Sequence, residues 1–140
     1  MDLDIKGNQI TDFSELKKFT ALKTIDVSKT SIESLQPLKG MTSLERLICR
    51  NTELQSLKGI EKLENLKQIF CDNTKITDLK PVKNLMNLSK IVCGFNQITD
   101  LEPIKDHKNL KVLAKGSGLT QKYVDEFLKD RPKIKVELFY

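Results

Sequence analysis

Slid along itself until Leu22 falls on Leu44, the sequence aligns four full copies of one pattern. They are LKTIDVSKTSIESLQPLKGMTS from Leu22, LERLICRNTELQSLKGIEKLEN from Leu44, LKQIFCDNTKITDLKPVKNLMN from Leu66 and LSKIVCGFNQITDLEPIKDHKN from Leu88. The shared pattern is L-x-x-L-x-(V/C)-x-x-(N/T)-x-(I/L)-x-x-L-x-(P/G)-(L/I/V)-x-x-L. A half-copy precedes them, with Leu3, Ile5, Asn8, Ile10, Phe13, Leu16 and Phe19 in register, and a degraded copy begins at Leu110 and Leu113. One such copy cannot bury its own apolar edge, whereas stacked copies bury it against each other. The period therefore predicts an α/β solenoid, read as one repeat domain over residues 1–140. Its units are a partial repeat at 1–21, full repeats at 22–43, 44–65, 66–87 and 88–109, and a degraded repeat with a cap at 110–140.

Each copy holds a short alternating run such as LKQIFC, suited to a short strand. A turn with Asn or Thr follows, and then an apolar set spaced by three (Ile76, Leu79, Val82, Leu85) that lines one side of a tight helical or extended segment. At the C-terminus the register breaks. Thr120 is placed to cap a helix with Tyr123, Val124, Phe127 and Leu128 on its apolar side, and Pro132 ends it. KIKVELF then alternates Ile134, Val136 and Leu138 with charges that discourage further pairing at the edge. The N-terminus shows no matching cap, which leaves two readings open: a piece of a longer protein, or an edge covered by something else.

The 22-residue pattern, with the phrase NQITDLEPI at Asn96–Ile104, resembles the leucine-rich repeats of bacterial internalins and of phosphatase-regulatory proteins. The resemblance runs from about Leu3 to Asp130. It implies a leucine-rich repeat arc with a concave parallel β-sheet, short 3₁₀ or helical turns on the convex side and a C-terminal helix–strand cap. It also implies a binding module. The pattern departs from the family where Thr30, Thr52 and Thr74 replace the ladder asparagine retained at Asn8 and Asn96. Threonine offers one hydroxyl where asparagine offers an acceptor and donors, so fewer turn groups are expected to be satisfied by that side chain.

Within the strand pattern, Phe70 and Cys71 are adjacent and must face opposite ways. Cys49, Cys71 and Cys93 continue the column of Val27 and are expected inside, as small hydrophobes with inert thiols. Phe70 then faces the concave surface, aligned with Ile48, Val92 and Ala114, while Asp4 and Asp26 hold that column in the earlier strands. Val112 is expected on the same face. The prediction is an exposed apolar stripe, Ile48–Phe70–Val92 extended by Phe95. Its rim is basic and polar: Arg46, Arg50, Lys67, Asp72 and Lys90, with Glu45, Gln68 and Asn73. Such a bordered patch marks a partner-binding surface.

Other chemistry is thinly represented. GSG at Gly116–Gly118 follows no phosphate-loop pattern and reads as a turn. His107, the only histidine, stands in the column of Phe19, Met41, Leu63 and Leu85 and reads as structural. Asp12, Asp78 and Asp100 recur at multiples of the repeat length, which points to turn hydrogen bonding. Neither catalysis, nor a cofactor, nor a metal is expected.

No apolar run approaches the roughly 18 residues needed to span a bilayer, so no membrane is expected as a partner. Three cysteines without a CxxC pair and no visible signal peptide lead to a reducing, cytoplasmic setting as the expectation.

The reading is a non-catalytic protein–protein interaction module using its concave face, as an inhibitor, immunity-type protein or effector domain. It is expected to be a monomer or weak homodimer. One alternative is single-stranded nucleic acid binding, with Phe70 and Phe95 stacking on bases beside Arg46, Arg50, Lys67, Lys90 and Lys111; Glu45, Asp72 and Asp26 interrupt that track. Another is a structural, self-assembling role.

Overall fold

The computed structural model describes residues 1–139. Seven strands form one parallel sheet in sequence order: β1 (Asp2–Asp4), β2 (Thr24–Asp26), β3 (Arg46–Ile48), β4 (Gln68–Phe70), β5 (Lys90–Val92), β6 (Leu110–Leu113) and β7 (Ile134–Glu137). From β1 to β5 each residue pairs with its counterpart in the next copy, as Ile25 with Leu47 and Ile69 with Ile91. The sequence period is therefore the strand-to-strand step of the sheet.

The inner side of this sheet and the chain behind it form one continuous core. Leu22, Leu44, Leu66 and Leu88 stack in one column, Ile25, Leu47, Ile69 and Ile91 in the next, and Val27, Cys49, Cys71 and Cys93 in a third, all buried. Behind them lie Ile32, Leu54, Ile76 and Ile98, then Leu35, Leu57, Leu79 and Leu101. Every copy supplies one residue per column, so each repeat closes the apolar edge of the one before it.

The turns are held by side chains at fixed positions. Asp12, Asp78 and Asp100 each accept the amide two residues ahead through Oδ1, and Ser34 and Ser56 do the same with their hydroxyls. The same bond holds the Asp12 carboxyl below its usual range. Thr30, Thr52 and Thr74 donate back to the carbonyls of Val27, Cys49 and Cys71. Asn96 reaches across one repeat: its Oδ1 accepts from the Thr74 amide at 2.8 Å and its Nδ2 donates to Cys71 O at 2.9 Å. The threonine turns thus form with local bonds where asparagine adds a bond between repeats.

Convex 3₁₀ turns occur at Ser14–Lys18, Gln36–Leu38, Lys80–Val82 and Glu102–Ile104. The last three begin around Pro37, Pro81 and Pro103, whose fixed φ suits the first turn. The second full copy places Gly59 in that column and makes no 3₁₀ helix. Gly59 adopts φ +114°, and a Cβ built there would lie 2.5 Å from the Leu35 carbonyl oxygen. Only glycine fits that approach.

The C-terminal closure matches the sequence reading. Helix α1 (Gln121–Leu128) is capped by Thr120, whose Oγ1 accepts from the Tyr123 amide, and Val124 and Phe127 are buried. The Tyr123 hydroxyl donates to Asp100 at 2.8 Å and accepts from the Leu101 amide at 2.9 Å, tying the helix to the turn of the fourth full copy.

The last repeat departs from the expected register. Lys90 pairs with Lys111, Ile91 with Val112 and Val92 with Leu113, a step one residue shorter than in the earlier copies. In those copies two successive amides donate to one carbonyl, as Lys67 and Gln68 do to Glu45, whereas at β6 only Lys111 donates to Ser89. The residue that makes this small bulge is missing. Ala114 and Val112 are consequently buried core residues, and Leu113 takes the concave position expected for Ala114.

A concave face of cations over an apolar floor

Strand alternation places two columns on the concave side. One runs Asp4, Asp26, Ile48, Phe70, Val92, Leu113 and Glu137, and the other Asp2, Thr24, Arg46, Gln68, Lys90, Lys111 and Lys135. The first two strands therefore present carboxylates; β3, β5 and β6 each present an apolar residue beside a cation, and β4 presents Phe70 beside Gln68.

The predicted apolar stripe is less open than expected. Ile48 and Phe70 are half-buried, and Val92 is buried at 6% exposure. Phe70 lies beneath two cations: the Arg50 guanidinium carbon is 4.8 Å and the Lys90 Nζ 5.6 Å from its ring centre. Partly exposed cations over an aromatic face are attracted by the ring quadrupole, by about 0.5–1 kcal/mol each. Arg50 is steered there by Asp72, whose Oδ1 lies 2.9 Å from its Nε; the contact is an ion pair without hydrogen-bond alignment. The four residues Phe70, Arg50, Asp72 and Lys90 form one cluster. Gln68, between Arg46 and Lys90 in the neighbouring column, has a buried carboxamide oxygen without a hydrogen-bond partner among the described residues.

Lys67 stands apart from the two columns, at the entry to β4, where it pairs with Glu45 at 2.7 Å; Lys23 reaches the same carboxylate at 3.4 Å. These two bonds hold the Glu45 carboxyl below its usual range.

Phe95 lies beyond β5, in the turn rather than in the strand column. That turn position has positive φ in every copy: Gly7 (71°), Lys29 (56°), Asn51 (53°), Asn73 (54°), Phe95 (53°) and Gly116 (66°). Glycine and asparagine tolerate this left-handed conformation, and a bulky aromatic there is an outlier. Asn51 and Asn73 use the position for an amide bond between repeats, Asn73 Nδ2 to Asn51 Oδ1 at 2.6 Å. Phe95 breaks that ladder and remains 57% exposed. Its ring lies over Gly116, where a Cβ would come within 2.8 Å of Phe95 Cδ1. Sequence reasoning found the aromatic residue but missed its backbone; the column of Asn and Gly was the available signal.

The remaining polar groups are built into the scaffold. Burial pushes the thiols of Cys49 and Cys93 up to about 12 and that of Cys71 well above its ordinary value. His107 is buried at 3% exposure, with Nε2 3.1 Å from Leu85 O, and burial lowers its pKa. Among the described residues no group of His, Cys, Asp and Glu is placed to hold a metal, and no helix is long and apolar enough to cross a membrane.

Residues 42–84 match the family model for leucine-rich repeats, in two copies. No curated protein matches the sequence. Among solved structures, the internalin inlF of Listeria monocytogenes is 27% identical with a TM-score of 0.80, over 85% of this chain and 36% of its own. Internalin C2 (inlC2) of the same species is 21% identical with a TM-score of 0.72, over 99% of this chain and 71% of its own. A leucine-rich repeat protein of Leptospira interrogans is 24% identical with a TM-score of 0.87, over 98% and 36%. The fold is thus that of a leucine-rich repeat solenoid, similar to the folds of these proteins. The chain spans about a third of the length of inlF and of the Leptospira protein.

Proposed function

We propose that this is a non-catalytic protein-binding module whose partner docks on the concave face over β3–β5. The observation that carries the reading is Phe95. An exposed phenylalanine occupies a left-handed turn position where Asn, Gly and Lys stand in the other copies. A strained bulky residue costs of order 1–3 kcal/mol, and such residues cluster at functional sites. On the preceding strands the Ile48–Phe70 floor is partly open, and arginine and aromatic residues of this kind are enriched in interface hot spots. Partner contact through Ile48, Phe70 and Phe95, with Arg46, Arg50, Asp72 and Lys90 around them, accounts for both features. The fold supports this use, since an arc of stacked strands offers one extended surface whose outer residues are free of packing duties.

The test is site-specific photocrosslinking in host extract, with a benzophenone amino acid at position 46 or 95 and a convex control at the exposed Met86. A discrete adduct from 46 and 95 and none from 86 is expected. Adducts from 86 alone, or from none of the three, sink the concave reading.

A further inference from the structure

The concave face between β2 and β5 carries more positive charge than its own carboxylates neutralise. A recess of about 280 Å³ opens there, with Lys6, Lys29, Arg46 and Arg50 on its walls and Asp26 and Phe70 among its lining. Lys6, Lys29 and Arg46 make no ion pair among the described residues. Asp26 is engaged locally, its Oδ1 accepting the Ser28 amide at 2.9 Å. Arg50 is matched by Asp72, and Lys90 lies against the Phe70 ring without a carboxylate. Lys111, further along the same column as Arg46 and Lys90, is already held by Glu137 at 2.7 Å. Unneutralised cations are thus gathered around the Ile48–Phe70 floor, and beyond β5 the same column holds the paired Lys111 and, at the last strand, Lys135.

We infer that the partner segment seated on this face is acidic: a stretch of polypeptide that places apolar side chains on Ile48 and Phe70 and carboxylates against Arg46 and Lys90. The inference rests on the concave-face reading and adds the chemistry of the occupant. A neutral apolar segment would strip water from these cations and leave them unpaired, which costs several kcal/mol per buried charge. A basic segment is repelled. Arg46 and Lys90 lie two strands apart, about 10 Å, which matches acidic residues three apart on one side of a polyproline II segment crossing the strands, with about 3.1 Å per residue and three residues per turn. Nucleic acid fits less well: Asp26 inside the recess and Asp72 beside Arg50 would face a continuous run of phosphates, whereas a peptide places its charges singly.

The experiment is selection of a random twelve-residue peptide library, displayed on phage, against the wild-type chain. The best peptide is then synthesised and titrated by backbone amide NMR. Peptides enriched in Asp and Glu are expected, with shifts concentrated at residues 46–50, 68–72 and 90–95. Affinity should fall with added salt, and by roughly tenfold in Arg46→Glu/Lys90→Glu. The milder Arg46→Gln/Lys90→Gln variant, expected to lose a smaller factor, guards against a folding defect in the reversal. Selected peptides that map to this face without acidic enrichment overturn the charge inference and leave the concave reading standing. Peptides that map to the convex side, or a library that yields none, overturn both. Displacement of the selected peptide by a twelve-nucleotide oligothymidylate at equal or better affinity overturns the acidic peptide in favour of phosphate.

Discussion

The inner and outer sides of the same strands obey different rules. Inside, Ile25, Leu47, Ile69, Ile91 and Val112 form a buried column that changes only by a branch point or a methylene. Outside, one residue away, the column runs Asp, Asp, Ile, Phe, Val, Leu and Glu. Stacking dictates the first set, because each residue must fill the space between two near-identical neighbours. The second set is released from that demand, so differences along it carry information about what the face meets. Periodicity marks structure here, and departure from periodicity marks candidate function.

The comparison is broken most severely from the inside. Ile69→Ala should cost about 2–5 kcal/mol by opening a cavity in the middle of the stack. Gln68→Ala, on the adjacent concave position, should stay within about 0.5 kcal/mol. Urea unfolding followed by circular dichroism measures both, and equal losses would erase the distinction between the two faces. Next in size, Gly59→Ala forces a Cβ against the Leu35 carbonyl at positive φ and should lose about 2 kcal/mol or more in the same assay.

Phe95→Asn sharpens the contrast in the opposite direction. It places a residue suited to the left-handed turn beside Asn73, and should stabilise the fold by about 1 kcal/mol while weakening partner binding. A variant that gains stability and keeps full binding would remove Phe95 from the interface.

The smallest effect belongs to His107. Burial lowers its pKa below the ordinary 6.5, so the folded chain refuses a proton that the unfolded chain accepts. Stability should therefore be flat above about pH 6.5 and fall as the pH drops from there toward the folded pKa. His107→Leu, which restores the residue of Leu63 and Leu85, should flatten that slope. An unchanged slope would assign the pH dependence to other groups.

The scaffold was legible because its rule is written once per repeat. The core columns, the cap at Thr120, the inward cysteines and the turn role of Asp12, Asp78 and Asp100 all follow from register and alternation. The last repeat was harder to read. Aligning Leu110 with Leu88 preserves the full period, but the strand steps by one fewer because the bulge residue is lost, and that one deletion exchanges the faces of Val112, Leu113 and Ala114. Gly116, one place short of a full period after Phe95 yet at the same turn position, is the clue the sequence did contain. The site was less legible than the scaffold. Alternation places Phe70 outside, but the settling of Arg50 and Lys90 over its ring depends on side-chain paths that no spacing records.

The bonds made by Asn96 and by the Asn51–Asn73 pair reach from one copy to the next, so each repeat finds its polar partners in the adjoining one. A gene that duplicates one such unit in frame hands the new copy the same donors and acceptors it left behind. The arc can then lengthen in steps of about 4.8 Å, the spacing of neighbouring strands, with each step adding one fresh row of outward side chains open to selection.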